Sequence, residues 1–293
     1  NLPWCWLAFP RPLLSTVGTA VPACPGVHYN MMRAAIGVLA SSLASTSVAE
    51  FVHDADETRP LCGGNAFFDL GSNRGDTVLH WYKREIGFGT LLDSLPTRNP
   101  WRYCVVTFEA NPKWTPTLMA LRDSLAPRVA AAGGALEVFN DTAASVVDGF
   151  LNLYVDTSPT AGGSSIVANK IVRYGGQPVQ VRSIDFPAYF ERLTAPKAER
   201  PRNARVVLRL DVEGAEYDIF KALFAHNSLC LRVDVVVVEF HAAKFRHDAN
   251  IPPDIDNRIR SKLASCGVEV WEYGGKDAIG TEHYGTGNIA RVL

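Results

Sequence analysis

A chain of 293 residues with formal net charge −1, 47% hydrophobic and 20% charged residues has the composition of an ordinary globular protein, which excludes the disordered and collagenous classes. Lys+Arg 29 against Asp+Glu 30 leaves no surplus of positive charge to hold nucleic acid. The six cysteines stand far apart with no CxxC and no Cys/His cluster, so neither a zinc site nor a dithiol redox motif is expected.

Residues 1–30 carry no helical or strand period. Met31-Met32-Arg33, the apolar run Ala34–Ala40 and the small-x-small exit Ser47-Val48-Ala49 supply the three parts of a secretory signal peptide. Residues 1–49 are therefore expected to be a leader, with 31–49 the signal peptide, and 50–293 a single domain of the secretory pathway. A cytoplasmic protein behind an amphipathic leader is the alternative. The apolar run is too short for a membrane span, which needs about 20 residues. The domain keeps Cys62, Cys104, Cys230 and Cys266, an even set compatible with disulfides, and their spacing leaves all three pairings open. Cys104, beside an apolar run, reads as a buried free thiol if no bridge forms.

From Asn65 onward strand and helix patterns alternate. Ala66–Leu70 is a strand and Gly71–Gly75 a tight turn; Asp76-Thr77 caps a helix running through Ile86, and 87–100 reads as a loop. Tyr103–Phe108 is a second strand, 113–126 a second helix and Ala135–Phe139 a third strand. Alternation at Leu151, Leu153 and Val155, and at Val179, Val181 and Ile184, predicts a pair of strands around a Gly/Ser loop at 158–165. The cationic run Lys197, Arg200, Arg202, Arg205, Arg209 reads as a solvated loop leading into a strand. Val206–Leu210 and Val233–Val238 are continuous apolar runs of the kind buried on both faces of a parallel sheet, and Val268–Glu272 with Ile289–Val292 forms an antiparallel hairpin. The expected architecture is one α/β domain, a doubly wound, Rossmann-like seven-stranded sheet, mostly parallel.

In such sheets ligands bind beyond the carboxyl ends of the strands. The residues there are Asp69 with Gly71, Ser72, Asn73 and Gly75; Glu109 with Asn111; Asn140-Asp141-Thr142; Asp211 with Glu213; and Glu239 with His241. Glycines in the first turn admit a ligand close to backbone, and an acid at 109 is placed to accept both hydroxyls of a ribose. The dinucleotide pattern G-x-G-x-x-G is not met, because Asn73 stands where the second glycine is required, and no Walker lysine follows. A ligand with ribose and adenine but no phosphate fits better, and S-adenosylmethionine is the common one. Asp211, Glu213 and His241 are the residues placed to take a proton from an alcohol nucleophile. No ligand spacing calls for a metal, and none is expected.

Three blocks, Phe68–Thr77, Phe108–Pro112 and Arg209–Glu216, resemble the signature blocks of FkbM-type methyltransferases, and Gly163–Ile166, Val181–Asp185 and Val238–His241 are similar to secondary ones. The resemblance covers roughly 65–293 and implies a class I methyltransferase fold, S-adenosylmethionine as cofactor and O-methylation of a hydroxyl on a glycan or small metabolite. It further implies that Asp69, Gly71, Asn73 and Gly75 line the methionine end, that Glu109 holds the ribose and that Asp141 faces the adenine. Arg209, where the family usually has Lys, is expected to leave the cofactor motif untouched. The alternatives are a nucleotide-cofactor oxidoreductase and a catalytically silent binding module of the same fold.

Overall fold

The computed structural model describes residues 62, 64–157, 163–167, 178–242, 251–273 and 289–292. The expected leader 1–49 lies outside them, as do residues 158–162 of the Gly/Ser loop. In chain order the first elements are β1 (Ala66–Leu70), α1 (Asp76–Lys83), α2 (Phe88–Ser94), β2 (Cys104–Phe108), α3 (Thr115–Ala131), β3 (Ala135–Phe139), β4 (Thr142–Ser145), β5 (Gly149–Tyr154) and β6 (Pro178–Asp185). Then follow α4 (Phe186–Leu193), β7 (Val206–Leu210), α5 (Glu216–Ala225), α6 (Ser228–Arg232), β8 (Val235–Val238), α7 (Ile255–Ser265), β9 (Glu269–Tyr273) and β10 (Ile289–Arg291).

The apolar runs pair as their patterns require. Seven strands form one sheet in the order β10-β9-β8-β7-β1-β2-β3, parallel except for the antiparallel β10–β9 pair. Successive residues of β1 feed opposite faces: Ala66, Phe68 and Leu70 belong to one hydrophobic cluster and Phe67 to the other. On one face Phe68 meets Phe186 and Phe190 of α4 edge-on at 5.9 and 5.0 Å; on the other, Phe67 stacks on Trp81 of α1 at 4.2 Å. Burying each such ring is worth roughly 2–3 kcal/mol, so strand β1 is the seam that fastens both helical layers. The order switches at β1, which has β2 on one side and β7 on the other, and a crevice opens there at the strand ends.

The expected pair at 149–154 and 178–185 forms, but in a separate three-stranded sheet of order β4-β6-β5. Its third member, Thr142-Ala143-Ala144-Ser145, is too short and too small-chained to announce itself by pattern, yet all four residues are buried. Residues 87–100 are not simply a loop. Phe88, Leu91, Leu92 and Leu95 recur at helical spacing and are buried against the Phe67–Trp81 face, so α2 forms behind Gly87. The second helix runs on to Ala131, through Pro127, because Val129 reaches the same core. Asp76 does not cap α1: left-handed Gly75 occupies the cap position without a side-chain bond, and the Asp76 carboxylate accepts from Arg74 at 2.8 Å.

The cationic run is also not a solvated loop throughout. Arg200 is buried in an ion pair with Asp234 at 2.9 Å, and Arg209 lies wholly inside β7. Cys104 is not a free thiol; it is bridged to Cys62, and Cys230 is bridged to Cys266. The first bridge joins the approach to β1 with the start of β2, and the second joins α6 to the end of α7. No helix among the described residues is long and apolar enough to cross a membrane.

Candidate active site

At the switch of the sheet a cavity of about 220 Å³ is walled by the turns after β1, β2 and β7, by β4, and by Ser164, Ser165 and Ile166. The turn after β1 is set by backbone: the amides of Gly71 and Ser72 both donate to the Phe108 carbonyl at 3.0 Å. Gly71 has φ +89°, and a Cβ there would stand 1.9 Å from the Asp211 carbonyl oxygen, so only glycine lets this turn lie against the one after β7. Asn73 follows at φ 52°, left-handed for a residue with a side chain, and its Oδ1 is buried with no hydrogen-bond partner.

Glu109 ties this turn to the next. Its two carboxylate oxygens accept from the backbone amides of Asn73 and Asn111, each at 2.7 Å, which fixes the carboxylate at the cavity wall. Each oxygen retains acceptor capacity beyond the backbone bond. Burial pushes the Glu109 carboxyl up to about 7, against the pull of the two amides, and the charges of Asp69 and Asp211 raise it further. Asn111 itself bonds the Lys113 amide and the Ser164 hydroxyl, so it holds the neighbouring loop and is not on the cavity wall.

Asp69 sits one layer below. In the parallel register it lies between Thr107 on β2 and Arg209 on β7, and its fully buried carboxylate accepts from both, at 3.1 and 2.8 Å. It does not line the cavity. Burial raises its carboxyl above the ordinary value, and Arg209 and Thr107 oppose that rise. Arg209 donates as well to the Gly71 carbonyl at 2.8 Å and to Asp211 Oδ2 at 2.6 Å, and its guanidinium lies over the Tyr273 ring at 5.0 Å. The expectation that Arg209 leaves the cofactor motif untouched is therefore corrected: this one side chain links the end of β1, the glycine turn and the turn after β7.

Asp141 also turns away from the cavity. Its Oδ1 accepts from the Thr115 hydroxyl at 2.6 Å at the start of α3, and Thr142, Ala143 and Ala144 form the wall instead. Gly75 lies at the base of α1, outside the cavity lining, while Ser72 and Asn73 line it.

The turn after β7 carries the remaining acids. Asp211 and Glu213 both line the cavity, and Glu213 adopts φ 55°, a conformation that costs about 1 kcal/mol for a residue with a Cβ. The Ser165 hydroxyl pins it by donating to the Glu213 carbonyl at 2.6 Å. His241 stands behind these acids, fully buried. Its Nδ1 is 2.9 Å from Glu216 Oε1, and its Nε2 faces Glu239, Glu213 and Asp211 oxygens at 3.4, 3.5 and 3.7 Å. Burial alone would lower the imidazole, but the bond and charge of Glu216, then the Glu239 carboxylate oxygen beside Nε2 and the charge of Glu213, raise it to about 10. Burial likewise carries Asp211 up to about 6 against the pull of Arg209.

The predicted strand-end residues Ser72, Asn73, Glu109, Asp211 and Glu213 thus meet at one cavity, with Gly71 at its floor and His241 behind. Arg209, Ser164 and Ser165 join them; the Asp-x-Glu-Gly turn and the Gly/Ser loop are each visible in the sequence, but their mutual contact is not.

The family model described as the methyltransferase FkbM domain matches residues 69–270. No curated protein and no solved structure matches the chain.

Proposed function

Because the chain belongs to the FkbM methyltransferase domain family, we propose that it transfers a methyl group from S-adenosylmethionine to a hydroxyl of a glycan or small metabolite. The observation that carries this reading is the Glu109 carboxylate, clamped by two backbone amides at the cavity wall with acceptor capacity left over. A pair of vicinal ribose hydroxyls is the donor set such a carboxylate matches. The orphaned Asn73 Oδ1 adds an acceptor that an ammonium of the methionine end would satisfy.

The bound cofactor supplies an electrophilic methyl on a sulfonium. This chain's residues do the rest. Gly71 lets the turn lie close to the ligand, and Glu109 and Asn73 orient it. The acids at 109, 211 and 213 present a negative wall that favours a cationic ligand. Alignment for in-line displacement supplies much of the rate, and the acceptor's proton passes to a carboxylate of Asp211 or Glu213, which line the cavity in front of the His241 imidazole. Ser164 and Ser165, tied to Asn111 and to the Glu213 carbonyl, complete the wall on the acceptor side.

The reading includes a secretory location with the signal peptide at 31–49. Two cystines in the domain support it, since such bridges persist in oxidising compartments. The test is transfer of tritiated methyl from S-adenosylmethionine into fractionated glycans and small-molecule extracts. Label that survives mild base supports an ether. Label released as methanol places it on a carboxylate and overturns the hydroxyl assignment; no incorporation overturns the reading as a whole.

A further inference from the structure

The cluster behind the cavity has an unbalanced chemistry. His241 is fully buried, and its Nε2 makes no hydrogen bond although three carboxylate oxygens stand 3.4–3.7 Å away. A buried ring nitrogen without a partner costs on the order of 1–3 kcal/mol, and a cation at the point where the carboxylate oxygens converge on it would satisfy that nitrogen and lower their mutual repulsion.

We propose that Asp211, Glu239 and His241 form a binding site for one divalent metal cation. One ligand atom from each lies within 4.8 Å of the others. Ligands about 2.1–2.2 Å from an ion stand roughly 3.0–3.6 Å apart, and the two edges at Nε2, 3.4 Å to Glu239 and 3.7 Å to Asp211, are close to that range. The supporting contacts are those a metal-ligating histidine uses. Glu216 Oε1, 2.9 Å from Nδ1, is placed to accept from Nδ1–H, and in the metal-bound state the Nε2 lone pair would then face the cluster. Glu216 is in turn held by the Gly214 amide, which donates to Oε2 at 2.7 Å. The guanidinium of Arg209 engages Asp211 at Oδ2, while Oδ1 is the oxygen nearer His241.

Two carboxylates and one imidazole suit an ion such as Mn²⁺. Because Asp211 lies on the cavity wall, the ion would meet an acceptor hydroxyl there and lower the pKa of its proton; that role, unlike the binding, rests on the methyl-transfer reading. The rival occupant is a proton, which would make His241 the counter-ion of its carboxylates.

Mn²⁺ is titrated into the full chain at pH 8 without cofactor, and free ion is counted by electron paramagnetic resonance. One ion bound per chain is expected, with affinity reduced at least tenfold by Glu239→Gln, whose side chain is 39% exposed and whose loss leaves the core packed. Asp211→Asn is expected to do the same, and circular dichroism checks that both variants fold. No Mn²⁺ binding up to millimolar concentration, or binding that both variants leave unchanged, overturns the site. With cofactor absent, failure of the methyl-transfer reading leaves this outcome unaffected.

Discussion

Substituting Glu109 by Gln is the most incisive perturbation of the cavity. The carboxylate meets two backbone amides at 2.7 Å and, in the proposed complex, two ribose hydroxyls. Exchanging one oxygen for an NH₂ group removes the charge and turns an acceptor into a donor. A hydrogen bond to a charged group is worth about 1.5–3 kcal/mol, so affinity for S-adenosylhomocysteine at pH 8 is expected to fall about tenfold to 150-fold. The wild-type protein also carries a pH signature. Its Glu109 is raised from 4.5 to about 7 by burial, assisted by the Asp69 and Asp211 charges and opposed by the Asn111 and Asn73 amides. A raised folded value means that this group's stabilisation of the free protein is full below pH 4.5 and is lost, by about 3 kcal/mol, as pH rises through 7. Ligand binding runs the other way, because only the ionised form offers four acceptor positions: affinity at pH 6 is expected to be about tenfold below that at pH 8. Isothermal titration calorimetry at both pH values measures this, and Glu109→Gln is expected to remove the slope that the carboxylate contributes. Wild-type affinity that is flat from pH 6 to 8, or a variant within twofold of wild type at pH 8, refutes the reasoning.

Arg209→Met leaves the Asp69 carboxylate buried without its counter-charge and is expected to cost about 3–5 kcal/mol in urea denaturation; a loss below about 1 kcal/mol would contradict the linking role given to Arg209. Cys230→Ala opens a bridge spanning 36 residues, and loop-closure entropy predicts a loss of about 4 kcal/mol, read from the same denaturation experiment and absent when wild type is measured under reducing conditions. Asp211→Asn is expected to lower kcat at least about tenfold while the cooperative thermal transition persists; full turnover in this variant removes Asp211 from the proton-accepting group.

The features legible in the sequence are those with a local cause. Apolar runs such as Val206–Leu210 and Val235–Val238 have to be buried on both faces, which specifies parallel pairing, and polar residues that close such runs have to meet at the carboxyl edge. Glu109 and the Asp211-Val212-Glu213-Gly214 turn fell out of that logic. Arg209 did not, because its partner Asp69 lies 140 residues away and the contact exists only once β1 and β7 are in register. The same holds for the cystines, whose pairing is settled by which strand starts and helix ends come together. Asp141 lies off the cavity wall for a local reason: its left-handed backbone, φ 50°, turns the carboxylate toward Thr115 and α3. Helix α2 was hidden by glycines at 87 and 89 and a proline at 96, although its buried Phe88, Leu91, Leu92 and Leu95 keep helical spacing. The carboxylates around His241 were each visible at strand ends, but the convergence of Asp211 and Glu239 on one nitrogen is a tertiary property.

The central claim, a site for S-adenosylmethionine in the cavity between the turns after β1, β2 and β7, is tested most directly by ligand-dependent thermal stability of the intact chain. At a hundred times its dissociation constant a ligand adds about 2.7 kcal/mol, which for a domain of this size raises Tm by roughly 5–11 °C. The account predicts such a shift with S-adenosylmethionine and S-adenosylhomocysteine and none with NAD; a shift with NAD alone, or with none of the three, would contradict it.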